Sequence, residues 1–184
     1  GGSVLAPSDI DTNFLKKFRK LILRFIKNKR FVIICGGGKT ARNYMSAASK
    51  VVKLTPEDLD WLGIHATRLN AQLLRNVFRD VAHKQVIRNP HEKIRAKEKV
   101  IIAAGWKPGH STDYDAVMLA KNLGAKTVVN ITNINYVYNK DPSKFRNAKP
   151  IKSVSWKQFR KLIGSKWSPG LNTPFDPVAA KVAE

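Results

Sequence analysis

A buried strand that runs directly into three glycines constrains the fold of this chain more than any other stretch. Phe31-Val-Ile-Ile-Cys35 is a run of five apolar residues, and Gly36-Gly37-Gly38 follows it before a helical pattern begins. This order is typical of a parallel strand that leads into an anion-binding loop, since the N–H groups at the start of the helix face the anion. Lys39 and Arg42 add positive charge there, and the guanidinium fork of Arg42 suits a phosphate. The sequence therefore predicts a phosphate-binding loop, and the alternative is a plain strand-to-helix turn.

Two well-known nucleotide-binding loops do not fit this stretch. The pattern G-x-x-x-x-G-K-[ST] ends as Gly38-Lys39-Thr40 does, but its first glycine would fall on Ile33, inside the strand. Gly36, Gly38 and Ala41 match G-x-G-x-x-A, yet the dinucleotide-binding form needs a second strand that ends in an acid about 20 residues further on. Residues 51–54 lead into a helix start instead. Both loop types are therefore disfavoured.

Composition limits the class of protein and its partners. A chain of 184 residues with 43% hydrophobic content is sufficient for one α/β domain, here residues 1–184. Lys plus Arg outnumber Asp plus Glu by 34 to 13, a net charge of +21 that favours anionic partners such as nucleotides, RNA or acidic lipid. The single Cys35 favours a reducing compartment, and we expect a cytoplasmic protein. The four histidines lack metal-ligand spacing, so the residues predict no metal site, and no apolar run is long enough to span a bilayer.

A strongly basic helix is predicted near the start of the chain, with Asp11 or Thr12 as its cap. One face is apolar at helical spacing, and the other carries only basic charges. The basic residues are Lys16, Lys17, Arg19, Lys20, Arg24 and Lys27. Such a face is usually just solvated, but it could also contact RNA or another polyanion.

A second strand-loop-helix unit ends in polar side chains. Val100-Ile-Ile-Ala-Ala104 is predicted as a buried strand, and the loop after it leads to Ser111, Thr112 and Asp113. Thr112 or Asp113 would cap the next helix, which Gly124 closes. The hydroxyls and the carboxylate could instead orient lysines or Mg²⁺ around a phosphate. Asp113 is thus either a catalytic group or only a helix cap.

Further units of the same kind predict a mainly parallel sheet with helices on both faces. Thr127-Val-Val-Asn-Ile131 has the composition of another strand, and Thr55 and Ser155 are placed to cap two more helices. Asp176 begins a final helix after a loop rich in proline and glycine. Ligands of such sheets bind at the carboxyl ends of the strands, where the glycine and polar loops are expected to meet.

Seven short motifs are spread along the whole chain. They are Gly1-Gly2-Ser3, Gly36-Gly37-Gly38-Lys39-x-x-Arg42, Asp60-x-x-Gly63-Ile64, Ala66-Thr67-Arg68-x-Asn70-Ala71, Pro108-Gly109-His110-Ser111-Thr112-Asp113, Thr132-Asn133-x-x-x-Val137-Tyr138 with Asp141-Pro142, and Asp176-Pro-x-Ala-Ala-Lys181. In this order and spacing they resemble the uridylate kinases of the amino acid kinase superfamily, in their archaeal-like form. The resemblance implies a three-layer αβα sandwich with a mainly parallel sheet, which usually assembles as a hexamer, and transfer of the γ-phosphoryl of Mg·ATP to UMP.

The resemblance also implies roles for individual residues. The acceptor part, about residues 1–123, would bind UMP, and the part from about 124 to 184 would bind ATP. The implied UMP-binding residues are Gly36, Gly37, Gly38, Arg42, Asp60 and Thr112. The implied ATP-binding residues are Gly1, Gly2, Ser3, Thr132, Asn133, Tyr138, Asp141 and Pro142. Asp113, Arg42 and Asp176 are the implied catalytic residues.

The chain departs from the family pattern in three respects. A lysine on a strand before Gly-Gly-Ser is usual in the family, and further helix and strand follow Lys181, so we expect a sheet truncated at both ends. The aspartate and glycine usual after Thr-Asn-Val are Asn135 and Tyr136 here. The charge of +21 is also unusual for such an enzyme. Three hypotheses therefore stay open: a UMP kinase or a sibling with another small acceptor, a kinase fold that serves as an RNA-binding or assembly module, and a regulatory nucleotide-binding protein without turnover.

Overall fold

The computed structural model describes residues 2–132, 134–164 and 174–184. Their elements follow one another in the order α1 Gly2–Leu5, α2 Thr12–Phe25, β1 Phe31–Ile34, α3 Gly38–Val51, α4 Pro56–Val77, β2 Val100–Ala103, α5 Thr112–Asn122, β3 Val137–Tyr138, β4 Pro150–Ile151, α6 Trp156–Ile163 and α7 Pro177–Ala183. No helix in these three ranges is both long enough and apolar enough to cross a membrane.

A parallel sheet lies at the centre of the fold. β1 and β2 pair in parallel, with Phe31 opposite Val100 and Ile34 opposite Ala103. On the other side of β2, single parallel bridges join Ala82 to Val100 and Ile87 to Ala103. The polar and basic stretch from Arg79 to Lys99, whose sequence predicts a weak strand or two and a loop, thus contributes weak strand pairing.

Alternate residues of β2 face two separate hydrophobic clusters. Val100 and Ile102 pack in a cluster with residues of α2 and α4, whereas Ile101 and Ala103 pack in a cluster with Leu119 of α5. All four residues of β2 have 0% exposure, which explains why their sequence is continuously apolar. Full burial of an aliphatic side chain such as Ile101 contributes roughly 1.5–3 kcal/mol to stability. Helices therefore cover both faces of the sheet, and the predicted αβα layers are confirmed.

The predicted helix starts are confirmed at three places by hydrogen bonds. Asp11 caps α2 by accepting from Phe14 N at 2.8 Å. Thr55 and Ser155 each form the reciprocal capping box, with Asp58 and Gln158 respectively. Each cap satisfies N–H groups that have no partner inside the helix, which fixes where the helix begins.

Two predictions of local structure were wrong. Residues 127–131 have no regular structure and are exposed, although their composition is that of a strand. No strand in the described part of the chain pairs with them, and β-branched residues form a strand only beside a neighbour. The glycines of Gly1-Gly2-Ser3 predict a turn near the start of the chain. The residues from Gly2 instead form the short helix α1, with Ala6 N donating to Gly2 O at 2.9 Å.

The short strands β3 and β4 lie outside the central sheet. They pair antiparallel, with Val137 opposite Ile151 and Tyr138 opposite Pro150. A third cluster, which contains Val117, Phe159 and Ala179, packs α5, α6 and α7 together. This packing places the start of α7 beside the start of α5, where the predicted acidic residues lie.

Candidate active site

The glycine loop between β1 and α3 is the centre of the site. α3 begins at Gly38 with Gly37 as its N-cap, and no side chain caps it or places an acid in its first turn. Gly38 has φ +60°, and a Cβ at this position would overlap Gly2 O, so the close approach of α1 requires glycine here. Lys39 N, near the start of α3, donates to Ala6 O at 3.1 Å, whereas no hydrogen bond joins Gly38 N or Thr40 N to a described residue. These two N–H groups are compatible with the predicted anion site.

A buried amide on α4 holds this loop in place. Asn70, which is 2% exposed, donates through Nδ2 to Gly36 O at 3.0 Å and to Gly37 O at 3.2 Å. Both carbonyl oxygens are thereby turned toward α4. The sequence showed Asn70 as a motif residue but gave no reason for it, because its partners lie more than 30 positions away.

A cleft of about 560 Å³ opens in front of the glycine loop. Three structural units line it, namely α3 with the glycine before it, α4, and the loop between β2 and α5. The lining residues are Gly37, Gly38, Ala41, Arg42, Met45, Asp60, Gly63, Ile64, Thr67, Gly105, His110 and Thr112. Gly36 lies beside them, since a Cβ built on it would be 3.7 Å from Thr112 Oγ1. The structure therefore brings all six predicted UMP-binding residues together.

The loop of residues 105–111 forms one wall of the cleft and is tied to α4 through its backbone. Gly105 N donates to Thr67 Oγ1 at 2.8 Å, and Gly109 N donates to Asp60 Oδ2 at 2.8 Å. Arg68 Nη2 donates to Trp106 O at 2.9 Å. Asp60 thus fixes the loop with one oxygen, and the structure gives no hydrogen bond from a described residue to its other oxygen.

Two acidic residues that the sequence predicted as catalytic meet at the edge of the cleft. Asp113 Oδ2 accepts from Asp176 N at 3.1 Å. Burial, and then the charge of Asp176, raise the pKa of Asp113, while the hydrogen bond from Asp176 N opposes the rise. Asp176 itself caps α7 through Val178 N at 2.6 Å and Ala179 N at 3.3 Å, and its second oxygen accepts from Ser111 Oγ.

The helix cap expected at this place was assigned to the wrong residue. Ser111, and not Thr112 or Asp113, caps α5 by accepting from Tyr114 N at 3.1 Å. A serine hydroxyl can fill this position as well as a carboxylate does. Asp113 is therefore left to contact α7, and the interpretation that it only caps its own helix is wrong.

A third acid, Asp115, was missed by the sequence analysis. It has 0% exposure, and its Oδ2 accepts from Trp106 N at 3.1 Å. No described residue forms a hydrogen bond with Oδ1. Burial, with a smaller contribution from the charge of Asp176, raises the pKa of Asp115 to about 7, although the hydrogen bond from Trp106 opposes the rise. The sequence feature that could have indicated Asp115 as a site residue is the pair of acids two positions apart in Thr112-Asp113-Tyr114-Asp115.

The predicted ATP-side residues do not line this cleft. Gly2 and Ser3 lie in α1, where Gly2 packs on the glycine loop. Thr132 lies in the irregular segment before β3, Tyr138 lies in β3, and Asp141 and Pro142 lie in the turn after it. Hydrogen bonds from Ser143 lower the pKa of Asp141. Gly1 and Asn133 are outside the described residues, so the structure gives no position for them.

The basic residues of α2 lie away from the cleft, and most of them are exposed. Lys16, Lys17, Lys20 and Arg24 are exposed, and Arg19 pairs with Asp80 at 2.8 Å. Binding of RNA by this face stays a prediction.

Comparison with known proteins identifies the family of the chain. The chain matches the amino acid kinase family over residues 1–184. It is 38% identical over 185 residues to the uridylate kinase of Pyrococcus abyssi (strain GE5 / Orsay), a match that covers 99% of this chain and 82% of the relative. It is 37% identical over 185 residues to the uridylate kinase of Thermococcus kodakarensis, covering 98% of this chain and 81% of the relative.

Solved structures give the same result. The crystal structure of uridylate kinase from Archaeoglobus fulgidus matches with a TM-score of 0.84 at 32% identity, over 99% of this chain and 82% of that one. UMP kinase from Ureaplasma parvum matches with a TM-score of 0.73 at 19% identity, over 98% and 81% of the two chains, and supports the fold alone. The predicted family and fold class are therefore confirmed, and the chain belongs to the amino acid kinase family, in its uridylate kinase branch.

Proposed function

We propose that this chain is a UMP kinase, which transfers the γ-phosphoryl group of ATP to UMP and releases UDP and ADP. The observation that carries the proposal is the cleft, in which the uncapped amide end of α3 and Arg42 lie on one side and Asp60 on the other. Phosphoryl transfer depends mainly on positioned donors and on neutralised phosphate oxygens, which is what such a cleft can supply. The relatives that carry the name uridylate kinase point to UMP as the acceptor.

The acceptor phosphate would lie at the glycine loop. The N–H groups at the start of α3 and the guanidinium of Arg42 would hold it, with Thr112 Oγ1 on its other side. The Asp60 oxygen that the loop leaves uncommitted would accept a hydrogen bond from a ribose hydroxyl. A phosphorylated acceptor fits this charge better than a carboxylate acceptor does.

Asp113 would orient the cations around the transferring phosphoryl group, and Asp176 would position Asp113. In the structure Asp176 N–H holds one oxygen of Asp113, while both Asp176 oxygens are used by α7 and by Ser111. The predicted catalytic role of Asp176 thus becomes a positioning role in our proposal.

Mg²⁺ is proposed to arrive with ATP. No group of three or more acidic, histidine or cysteine side chains that could hold a metal lies in the described ranges. Asp113, with one oxygen committed, fits the one or two carboxylates that Mg²⁺ takes from a protein beside substrate phosphates. When bound, the ion would neutralise charge on the phosphate oxygens.

The ATP side of the site is proposed to involve both α1 and the segment around β3. Gly1, Gly2 and Ser3 would lie along the ATP phosphates, and the ATP nucleoside would bind at Thr132, Asn133, Tyr138, Asp141 and Pro142. Residues up to about 123 would then form the acceptor part, and residues 124–184 the ATP part. The contact of Gly2 with the glycine loop supports the proposed place of α1, because the ATP phosphates must lie next to the acceptor phosphate for transfer.

We also propose assembly into a homo-oligomer, with a hexamer as the expected form. Large apolar side chains on α3 and α4 are open to solvent, including Tyr44 at 63%, Val51 at 87% and Leu69 at 64% exposure. Large apolar side chains that one subunit leaves open to solvent could be covered by a second subunit. Light scattering of the wild type and of Leu69→Lys would test it, since the substitution should lower the measured mass.

The experiment that tests the proposed function measures ADP formation from Mg·ATP with UMP, CMP, AMP and a carboxylate acceptor. We expect turnover with UMP, and we expect Arg42→Ala and Asp113→Asn each to lower kcat/KM by roughly 100-fold or more. Arg24→Ala, on the basic face of α2, serves as the matched control and should leave kcat/KM unchanged. Thermal unfolding of each variant separates lost activity from lost folding.

A second candidate function, a kinase fold that binds RNA, is supported by the exposed basic face of α2. It would be favoured by an absence of turnover with every acceptor, together with RNA binding that falls steeply with salt and weakens in Arg24→Ala. Unchanged turnover in both Arg42→Ala and Asp113→Asn would instead refute the assignment of the site.

A further inference from the structure

The imidazole of His110 lies in the wall of the acceptor cleft, next to the place proposed for the ribose. Gly109, the preceding residue, donates its N–H to Asp60 at 2.8 Å. If UMP binds as proposed, with its phosphate at the glycine loop and its ribose at Asp60, its base reaches the wall that Gly105 and His110 form. The inference below rests on that proposed function.

Two aromatic rings pack against the ring of His110. Its centroid is 4.9 Å from the ring of Trp106 and 4.7 Å from the ring of Tyr114, and each pair is tilted by 53°. Aromatic contacts at these distances restrain the position of the imidazole. His110 is therefore a rigid part of the cleft wall.

One hydrogen bond also fixes which nitrogen carries the proton. His110 Nδ1 lies 3.2 Å from Pro108 O. Because a carbonyl oxygen only accepts, Nδ1 is the donor, and Nε2 of the neutral ring is left with its lone pair. No hydrogen bond joins Nε2 to any residue that the structure describes. Nε2 is thus a hydrogen-bond acceptor on a side chain that lines the cleft.

An acceptor at this place distinguishes the two pyrimidine bases. Uracil carries a hydrogen on N3 and can donate it, whereas N3 of cytosine has a lone pair and can only accept. Two lone pairs facing each other repel, and each would lose its water without gaining a partner. We propose that His110 is a specificity-determining residue, which selects UMP over CMP by accepting the N3–H of uracil at Nε2.

The test compares UMP with CMP in three variants of the full chain. His110→Phe keeps a flat ring between Trp106 and Tyr114 but has no ring nitrogen. His110→Gln restores an acceptor. His91→Phe is the matched control, because His91 stacks on Trp106 at 4.7 Å but does not line the cleft. For each variant we would measure kcat/KM for both nucleotides and their dissociation constants by calorimetry.

We expect the wild type to favour UMP. In His110→Phe, the ratio of the UMP to the CMP value of kcat/KM should fall by about 10- to 100-fold, the effect of losing one hydrogen bond to a substrate. The ratio should recover in part in His110→Gln and should stay unchanged in His91→Phe. If His110 only stabilised the fold, its substitution would lower the unfolding temperature and leave the ratio of UMP to CMP activity unchanged.

Three results would overturn the inference. They are a wild type that does not prefer UMP, an unchanged ratio in a folded His110→Phe, and an equal loss of selectivity in His91→Phe. Turnover of UMP by the wild type would still uphold the proposed function in the last two cases. If the wild type has no turnover, the proposed function fails, and the ratio of dissociation constants still decides the role of His110.

Discussion

The buried carboxyl of Asp115 should make the stability of this protein fall as the pH rises. Its pKa is raised from 3.8 to about 7, chiefly because the folded chain removes the carboxyl from water. Between these two values the folded chain holds the proton and the unfolded chain has lost it. The free energy of unfolding therefore decreases from about pH 4 up to the folded pKa near 7. We expect Asp115→Asn to abolish this part of the pH dependence.

The size of the effect follows from the shift in pKa. A rise from 3.8 to about 7 is a change of roughly 3 units, and each unit corresponds to about 1.4 kcal/mol. The full effect is thus about 4 kcal/mol. Roughly 3 kcal/mol of it falls between pH 5 and pH 8.5 by the same linkage relation. Such a loss is a large fraction of the stability of a typical domain.

Urea unfolding of the wild type and of Asp115→Asn at pH 5, 6, 7 and 8.5 would measure how much Asp115 contributes to the pH dependence of stability. The asparagine oxygen can still accept from Trp106 N, but the amide cannot ionise. Its NH₂ group costs roughly 1–3 kcal/mol if it stays unpaired, and this cost is the same at every pH. The free energy of the wild type should therefore fall by about 3 kcal/mol more than that of the variant across the range.

Glu57→Gln, which removes an exposed acid from the first turn of α4, is the control. It should leave the dependence of the free energy of unfolding on pH as steep as in the wild type. Some pH dependence should remain in Asp115→Asn, because the pKa of Asp113 is raised as well. Parallel curves for the wild type and Asp115→Asn would refute the reasoning. They would mean that the carboxyl of Asp115 is not held in its neutral form by the fold.

Three further substitutions test other parts of the structure. Gly63→Ala would place a Cβ in the cleft, 2.8 Å from Met45 Cε. Because the methyl group of Met45 can move away, we expect the variant to fold normally. The smaller cleft should raise the KM for UMP several-fold in steady-state kinetics. Thr55→Ala removes the capping box of α4. It should lower the free energy of unfolding in urea by about 1 kcal/mol and leave kcat unchanged. An unaltered urea midpoint would mean that the cap does not stabilise the helix. Gly38→Ala would force alanine to adopt φ +60° and would bring its Cβ into a clash with Gly2 O. We therefore expect the free energy of unfolding to fall by more than about 1 kcal/mol and turnover to be lost. A stable, active variant would show that the close packing of α1 on this loop does not need glycine.

The parts of the fold that the sequence predicted correctly are those set by local chemistry. The run from Phe31 and the run from Val100 are continuously apolar because both faces of the sheet are covered. Thr55 and Ser155 form their caps with residues three positions away, so a short window of sequence contains the whole interaction. The glycine loop could be placed at a helix start for the same reason.

The errors arose where structure depends on distant partners. Residues 127–131 have strand composition, but a strand needs a neighbour, and composition does not supply one. Asp113 was one of two candidate caps for its own helix, yet its hydrogen bond comes from Asp176, 63 positions away. In each case the local sequence allows the predicted structure, and the presence or absence of a distant partner decides the outcome.

The candidate site divides in the same way. The sequence could select the glycines and Arg42, which we propose bind the phosphate, because such residues after a strand indicate an anion site, and the structure places Gly37, Gly38 and Arg42 in the cleft. The groups that hold the site in place could not be predicted, because Asn70 and Arg68 act on residues 34 and 38 positions away. Burial of Asp115 and the stacking of His110 depend likewise on how α5 packs against the sheet.

The attachment of the loop of residues 105–111 has a consequence for how such a site can diversify. The bonds from Asp60, Thr67, Arg68 and Asp115 reach only backbone atoms of the loop. Much of the path of the loop is thus held by side chains of α4 and α5, which contact its backbone. Substitutions at positions such as 106, 107 and 110 can change the side chains that a ligand contacts while the backbone of the loop keeps its conformation. Selection for a new acceptor could therefore act on this segment without rebuilding the enzyme around it.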